Sequence, residues 1–282
     1  MYVFQTQKEL QIEINKAQNQ SKKIGFVPTM GALHLGHLAL LEQSLSENEM
    51  TVLSIFVNPT QFNNADDLKK YPRTLEKDVK LVQQLNKNIL IFAPSVSDIY
   101  EKNTVSTSFN YDGLENQMEG KHRPGHFDGV GTIVKKLFEI VKPTNAYFGE
   151  KDFQQLQIVK KLVSKHQIPV TIIGCEIFRE ASGLAMSSRN ERLSESARKE
   201  SKLIYQILTQ AKEKFAKKSA NEVVLFVEKE FQKNTNFTLE YFEIAAEDTL
   251  LTCKRKIKNK KYRGFIAVFI ENIRLIDNIS LK

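Results

Sequence analysis

The sequence predicts an α/β fold: a mainly parallel sheet covered by helices, followed by a smaller α+β domain. Three observations carry this. Strand-like and helix-like patterns alternate over the first 175 residues. The strand segments are nearly continuous apolar runs, as in Val52-Leu-Ser-Ile-Phe-Val57 and Val170-Thr-Ile-Ile173. The alternation stops near residue 190. Alternation of this kind builds βαβ units, and strands that are apolar on both faces belong to a sheet with helices on each side.

In order, Ile24–Val27 reads as a strand and Gly36–Leu45 as the helix after it. Thr51–Val57, rich in β-branched residues, and the amphipathic Leu75–Leu85 repeat the pair. Ile89–Ala93 adds a strand. The helix Val130–Val141, the strand Ala146–Phe148, the helix Phe153–His166 and the strand Val170–Ile173 continue the rhythm. Ser194–Lys217 and Ser219–Lys233 then read as helices, and Thr238–Ala245 and Gly264–Glu271 alternate like antiparallel strands. The expected boundary falls near Cys175–Arg179, dividing 1–177 from 178–282 with no internal repeat or low-complexity linker.

With 282 residues and 41% hydrophobic residues, the chain can bury a sizeable core. Its apolar stretches are strand-length and interrupted, which argues against a membrane span, and Met1-Tyr-Val-Phe lacks the charged and apolar regions of a leader. A cytoplasmic protein is expected, without a membrane partner. Cys175 and Cys253 are too few for a disulfide framework and are expected to be reduced thiols. The formal charge of +8 and pI of 9.2 raise the question of nucleic acid. The densest basic run, Lys254-Arg-Lys-Ile-Lys-Asn-Lys-Lys261, lies between two strand-like segments and reads as a solvated loop. No aromatic interleaving supports base stacking. A basic surface equally suits anionic small substrates, so no nucleic-acid partner is expected.

The most informative segment is Pro28-Thr-Met-Gly-Ala-Leu-His34-Leu-Gly-His37, set where a strand turns into a helix. Amides at a helix start lack intrahelical partners and carry the positive end of the dipole, and Gly31 and Gly36 have no Cβ to hold a triphosphate away. His34 and His37 are three apart and share one helical face. Neither a P-loop nor a dinucleotide fingerprint fits. The spelling is the H-x-G-H signature of nucleotidyltransferases. A metal half-site, or two histidines satisfied by local backbone, are the other readings of such a pair; no Cys and no third His at ligand spacing lies nearby to complete a zinc shell. Asn58-Pro-Thr-Gln61 and Gly149-Glu-Lys-Asp152 also directly follow strands, so three segments converge on the carboxyl rim where such sheets bind ligands.

Further unusual segments are Phe56-Val-Asn-Pro-Thr-Gln-Phe62, Tyr71-Pro-Arg73, Glu119-Gly-Lys-His-Arg-Pro-Gly-His-Phe127, Phe148-Gly-Glu-Lys-Asp-Phe-Gln-Gln155 and Met186-Ser-Ser-Arg-Asn190. With the first motif, in this order and spacing, they closely resemble the pantothenate synthetase (pantoate–β-alanine ligase) family. The resemblance spans roughly residues 20 to 200 and implies a Rossmann-like nucleotidyltransferase domain, a smaller C-terminal α+β lid domain and a homodimer. It implies ATP as a substrate and Mg2+ with it, the ion bridging phosphate oxygens and needing few protein ligands. Asp78 is a candidate outer partner of that ion.

The resemblance also assigns residues. Met30, Gly31, Ala32, Leu33, His34, Leu35, Gly36 and His37 line the ATP site, with His34 and His37 near the phosphates and His37 donating to developing negative charge. Lys151, Ser187, Ser188 and Arg189 bind phosphate, with Lys151 and Arg189 counted among the catalytic groups; Gly149, Glu150, Asp152, Phe178 and Met186 complete the nucleotide set. Asp152 also reads as an N-cap for the helix that follows. Gln61 and Gln155 contact pantoate, and Gln61 also β-alanine. Glu119 and Arg123-Pro-Gly-His126 support the site or an interface. The family usually has Asp where Ser182 stands in Arg179-Glu-Ala-Ser-Gly-Leu-Ala185; a hydroxyl can still form a turn there but supplies no carboxylate. The competing functions are another H-x-G-H nucleotidylyltransferase and a basic nucleic-acid-binding protein.

Overall fold

The computed structural model describes residues 2–62, 65–101 and 103–281. Their contacts group into two compact units: Met1–Glu115 with Gly120–Glu150 and Gln155–Glu176, and Asn116–Glu119 with Lys151–Gln154 and Ile177–Lys282.

In the first unit, β1 (Val3–Phe4), β2 (Ile24–Thr29), β3 (Met50–Ile55), β4 (Leu90–Phe92), β5 (Asn145–Gly149) and β6 (Thr171–Cys175) form a six-stranded sheet in the order β1-β4-β3-β2-β5-β6. All neighbouring pairs are parallel. Between the strands run α1 (Gln7–Asn19), α2 (Leu35–Glu47), α3 (Ala65–Lys70), α4 (Leu75–Leu85), α5 (Val96–Tyr100), α6 (Met118–His122), α7 (His126–Val141) and α8 (Phe153–His166). The expected rhythm is present, and α4 and α8 occupy the expected residues. α7 starts at His126 because Gly125, in a left-handed conformation (φ 78°), sets its N-cap. β1 and α1 precede the first expected strand. α1 opens with a reciprocal Thr6–Glu9 capping box and buries Leu10, Ile14 and Ala17 at helical spacing.

With β1 set aside, the chain builds outward from β2 through β3 to β4, then returns to β2's other side for β5 and β6. This is the Rossmann-like doubly wound order, and its switch point lies between the carboxyl ends of β2 and β5. β2 and β3 pair from Ile24↔Met50 to Thr29↔Ile55, so the two strands end level. Val27, Leu41, Leu53, Val82, Ile89, Ile91 and Tyr147 are fully buried together on one side of the sheet. α7 packs against the short turn after β3 so closely that a Cβ on Gly129 would lie 2.4 Å from the Thr60 carbonyl oxygen and 2.7 Å from Gln61 Cα.

The second unit holds a three-stranded antiparallel sheet, β7 (Thr238–Ala246), β8 (Tyr262–Ile270) and β9 (Ile273–Ser280), with α9 (Glu195–Glu200), α10 (Lys202–Phe215) and α11 (Ala220–Gln232). The single helix expected over 194–217 is two, divided at Ser201, whose fully buried hydroxyl donates to the Ala197 carbonyl at 2.7 Å. Serine bonding back to the carbonyl four residues earlier bends helices in this way. β9 is not among the expected strands. It returns from β8 through Glu271 and Asn272, both left-handed (φ 49° and 61°), a two-residue reversal that matches strand twist. Ile204, Leu208, Val223, Val227, Ile266 and Val268 form the centre of this unit's core. Among the described residues no helix is long and apolar enough to cross a membrane.

Because the atoms a new methyl would meet at Gly129 are backbone, they cannot swing aside. Gly129→Ala is expected to destabilise the chain by about 1–3 kcal/mol, the usual cost of overpacking, read as a lower denaturation midpoint at unchanged m-value.

Candidate functional site

After Thr29 the chain must leave the sheet and enter α2 within a few residues. It does so with Gly31 and Ala32 in left-handed conformations (φ 83° and 49°). Such a turn points successive amides into one concavity that binds anions. Here the protein's own buried carboxylate fills it: Ala32 and Leu33 amides donate to Asp78 at 3.0 and 2.8 Å, and the Thr74 hydroxyl donates to the same group at 3.3 Å. The Gly31 amide donates to Thr29 Oγ1 at 3.2 Å. The amides of Gly31, Ala32 and Leu33 are therefore bonded inside the protein, and Asp78 builds the turn. The amides of Leu35 and Gly36, the first two of α2, have no intrahelical carbonyl to meet and carry the positive end of its dipole.

The spacing of the two histidines has a structural cause. His34 is the N-cap of α2, in extended conformation (φ −141°, ψ 175°), and His37 is its third residue. The His34 amide donates to His37 Nδ1 at 3.3 Å, the reach-back that Glu or Gln makes in a capping box, and the rings stack with centroids 4.0 Å apart. Because Nδ1 accepts, the neutral His37 ring carries its proton on Nε2.

After β3, Pro59–Gln61 make a single 3-10 turn with Pro at its first position. Buried Asn58 organises it. Its Nδ2 donates to Gln61 Oε1 at 3.2 Å and to the Gly129 carbonyl at 3.1 Å, while its Oδ1 accepts from Tyr100 at 2.6 Å and Thr60 at 3.2 Å. Burial pushes the Tyr100 phenol above its ordinary value, so it remains a donor through the neutral range. The Gln61 carbonyl accepts from His126 Nδ1 at 2.8 Å and from Arg123 at 3.4 Å. Arg123 and His126 thus support the backbone of Gln61. The Gln61 amide nitrogen lies 3.0 Å from Met30 Sδ, a weak acceptor that a carboxylate oxygen would outcompete.

β5 ends at Gly149, where an added Cβ would meet nothing within 4 Å. Glu150–Asp152 form a 3-10 turn that runs directly into α8, so Asp152 lies within the helical run and not in the expected capping position. Gln155 follows in the first turn of α8, half-buried.

In the second unit, the Lys151 carbonyl accepts from Asn278 Nδ2 at 2.9 Å, and its ammonium lies 3.8 Å from Asp152. Residues 178–186 form a hairpin: Met186 donates to the Phe178 carbonyl at 3.0 Å, and Arg179 bridges to Ala185. The Phe178 ring is exposed. Ser182 Oγ accepts from the Leu184 amide at 3.3 Å, so its hydroxyl does form the turn. Ser187 Oγ caps the 3-10 run Ser188–Arg192 by accepting from the Arg189 amide at 3.2 Å. Glu180 accepts from Asn190 at 3.0 Å and from Arg198 at 2.9 Å, which ties the hairpin to the segment after it. Glu119 accepts from Arg274 at 2.6 and 2.8 Å and from Tyr241 at 2.7 Å. Asp277, which accepts from Arg179 at the base of the hairpin at 2.6 Å, and Asn278, which holds the Lys151 carbonyl, carry no signal in the sequence. Among the described residues no three His, Cys, Asp or Glu group to hold a metal ion.

Within the first unit, then, Met30–His37, Gln61 and Gly149 stand at the carboxyl ends of β2, β3 and β5, adjacent strands at the centre of the sheet. It is a Rossmann-like unit with its polar groups gathered at the switch point. The family model described as Pantoate-beta-alanine ligase matches residues 2–280. A pantothenate synthetase of Flavobacterium psychrophilum is 64% identical over 282 residues, covering all of both chains. The crystal structure of pantothenate synthetase from Thermus thermophilus has a TM-score of 0.91 at 38% identity, covering 100% of this chain and 99% of that one. That of pantoate-beta-alanine ligase from Francisella tularensis, complexed with beta-gamma ATP and beta-alanine, has a TM-score of 0.82 at 37% identity, covering 100% and 98%. The chain belongs to the pantoate–beta-alanine ligase family.

Asp78→Ala leaves the Ala32 and Leu33 amides without their acceptor. Each buried amide left unsatisfied costs about 1–3 kcal/mol, and equilibrium denaturation is expected to register the loss. Asp78→Asn, which retains one acceptor oxygen, is expected to lose less.

Proposed function

We propose that this chain condenses pantoate with β-alanine, driven by ATP, through a pantoyl adenylate. The observation that carries this reading is the family match across residues 2–280. A pantoate carboxylate oxygen attacks the α-phosphorus, the α–β phosphoanhydride bond breaks, and pyrophosphate leaves. The β-alanine amine then attacks the acyl carbon, the bond to AMP breaks, and the amine gives up a proton.

The resemblance supplies the assignments, and this chemistry gives each a reason. Negative charge grows on the phosphoryl oxygens and the leaving pyrophosphate, so preplaced donors accelerate the first step. His34 and His37 are assigned to the phosphates, with His37 donating through Nε2; its Nδ1 bond to the His34 amide supports that tautomer. The amides of Leu35 and Gly36 are assigned to the same anion. Lys151 supplies a point charge, Arg189 a fork that spans two oxygens, and Ser187 and Ser188 hydroxyls. Gly149 leaves open space beside its Cα for the nucleoside, and Glu150, Asp152, Phe178 and Met186 complete the nucleotide contacts. Gln61 and Gln155 are assigned to pantoate, and Gln61 also to β-alanine. Gln61's fixed backbone and weakly engaged amide nitrogen support that role. Magnesium enters as part of MgATP. The nucleotide- and pantoate-binding domain is assigned to residues 1–177 and the second domain to 178–282, save that the segments Asn116–Glu119 and Lys151–Gln154 group with the second. A cytoplasmic homodimer completes the reading, supported by the resemblance.

The chain incubated with MgATP, pantoate and β-alanine is expected to form AMP in step with pantothenate. Labelled pyrophosphate is expected to exchange into ATP with pantoate present and β-alanine absent, because the first half-reaction is complete and reversible without the amine. Release of ADP and phosphate, or exchange without pantoate, would defeat adenylation. His37→Ala is expected to lower exchange turnover about 10²- to 10⁴-fold, as for a lost acid or electrostatic group. Near wild-type exchange in a folded variant removes His37 from the mechanism.

A further inference from the structure

Asp277 and Asn278 are neighbours on β9, and both are buried. Asn278 Nδ2 donates to the Lys151 carbonyl at 2.9 Å, and Oδ1 accepts from Arg263 at 2.6 Å. Arg263 in turn lies over the Phe153 ring, 3.9 Å from its centroid, two residues beyond Lys151. Asp277 accepts from both terminal nitrogens of Arg179, at 2.6 and 2.9 Å. Arg179 also donates to the Gly183 carbonyl at 3.0 Å and the Asn278 carbonyl at 3.3 Å, and stacks 3.9 Å over Tyr205. Arg179 opens the hairpin whose other side runs into Met186-Ser-Ser-Arg189. Two consecutive residues of one strand therefore hold the backbone at Lys151 and the base of the segment that carries Ser187, Ser188 and Arg189.

A buried ion pair gives little net stability over apolar packing. Apolar residues at these positions could hold β9 in its sheet, but they could not engage a carbonyl in one segment and a guanidinium in another. We propose that Asp277-Asn278 is a positioning element for the adenylation step, setting the spacing of the Lys151 and Ser187–Arg189 groups on the triphosphate. This rests on the roles assigned to those groups under the proposed function. It predicts selectivity between the two half-reactions, because only the first involves a triphosphate.

The test uses the full chain with two near-isosteric changes. Asn278→Asp keeps the acceptor for Arg263 but cannot donate to the Lys151 carbonyl; Asp277→Asn weakens the grip on Arg179. Circular dichroism selects folded variants, so either can decide the matter if the other fails to fold. Two rates are measured: pantoate-dependent pyrophosphate–ATP exchange, and pantothenate formation from synthetic pantoyl adenylate and β-alanine. Exchange turnover is expected to fall about 100-fold, the scale of a misplacement of about 1 Å, while amide formation from the adenylate stays within about threefold of wild type. Exchange at the wild-type rate in a folded variant overturns the proposal, and so does an equal loss in both half-reactions, which marks a general structural defect. Absence of pantoate-dependent exchange in the wild-type chain is a separate failure, of the adenylation reading itself.

Discussion

The turn after β2 can exist only if its inward-pointing amides find an acceptor, and the acceptor is Asp78. Buried backbone donors without partners are rare because each forfeits its hydrogen bonds to water. Asp78 lies on α4, beyond β3, so the first turn of the sheet is completed by a helix formed much later in the chain. Once the turn is fixed, His34 falls at the cap of α2 and His37 one turn in, and the bond between them chooses the ring nitrogen that carries the proton. A carboxylate assigned no contact with substrate thereby orients an imidazole about forty residues away.

The second unit applies the same logic with charged partners. Its hairpin over residues 178–186 buries Leu184 and Ala185 and is held at its base by guanidinium and carboxylate groups. The adjacent Arg179 and Glu180 pull on different elements, β9 and α9, so the loop that follows leaves in a defined direction. Bidentate Arg–carboxylate bonds are directional where apolar packing is not, which suits a short segment that must present small polar groups.

Much of this is legible in the sequence, for reasons that can be named. β2, β3, β5 and β6 are apolar on both faces, and α4 and α8 carry helical periodicity, so each announces itself locally. The convergence of Met30–His37, Gln61 and Gly149 follows from their places directly after strands. β9 does not announce itself, because Asp277 puts a carboxylate at the buried position in phase with Ile273 and Leu275, and Asn278, on the opposite face, is buried as well. Its turn, Glu271-Asn272, adopts left-handed backbone without the glycine that usually signals it. The break at Ser201 interrupts an unbroken helical pattern through one hydroxyl. The partners of Asp78 and of Tyr100 lie 45 and 42 residues away in sequence, and no local spacing marks them.

The chain enters the second unit three times, at Asn116–Glu119, at Lys151–Gln154 and from Ile177 onward. In the first of these, Glu119 meets Arg274 and Tyr241; in the second, Phe153 lies beneath Arg263 and Lys151 is bonded by Asn278. The protein is therefore not two cassettes joined end to end. A cut between residues 176 and 177 would leave two four-residue segments on the wrong fragment, taking Glu119 from Arg274 and the Phe153 ring from Arg263. For the same reason, a C-terminal third grafted from another chain keeps these bonds only where its partners for Glu119, Lys151 and Phe153 match, so the two short inserts and residues 177–281 make one unit of substitution.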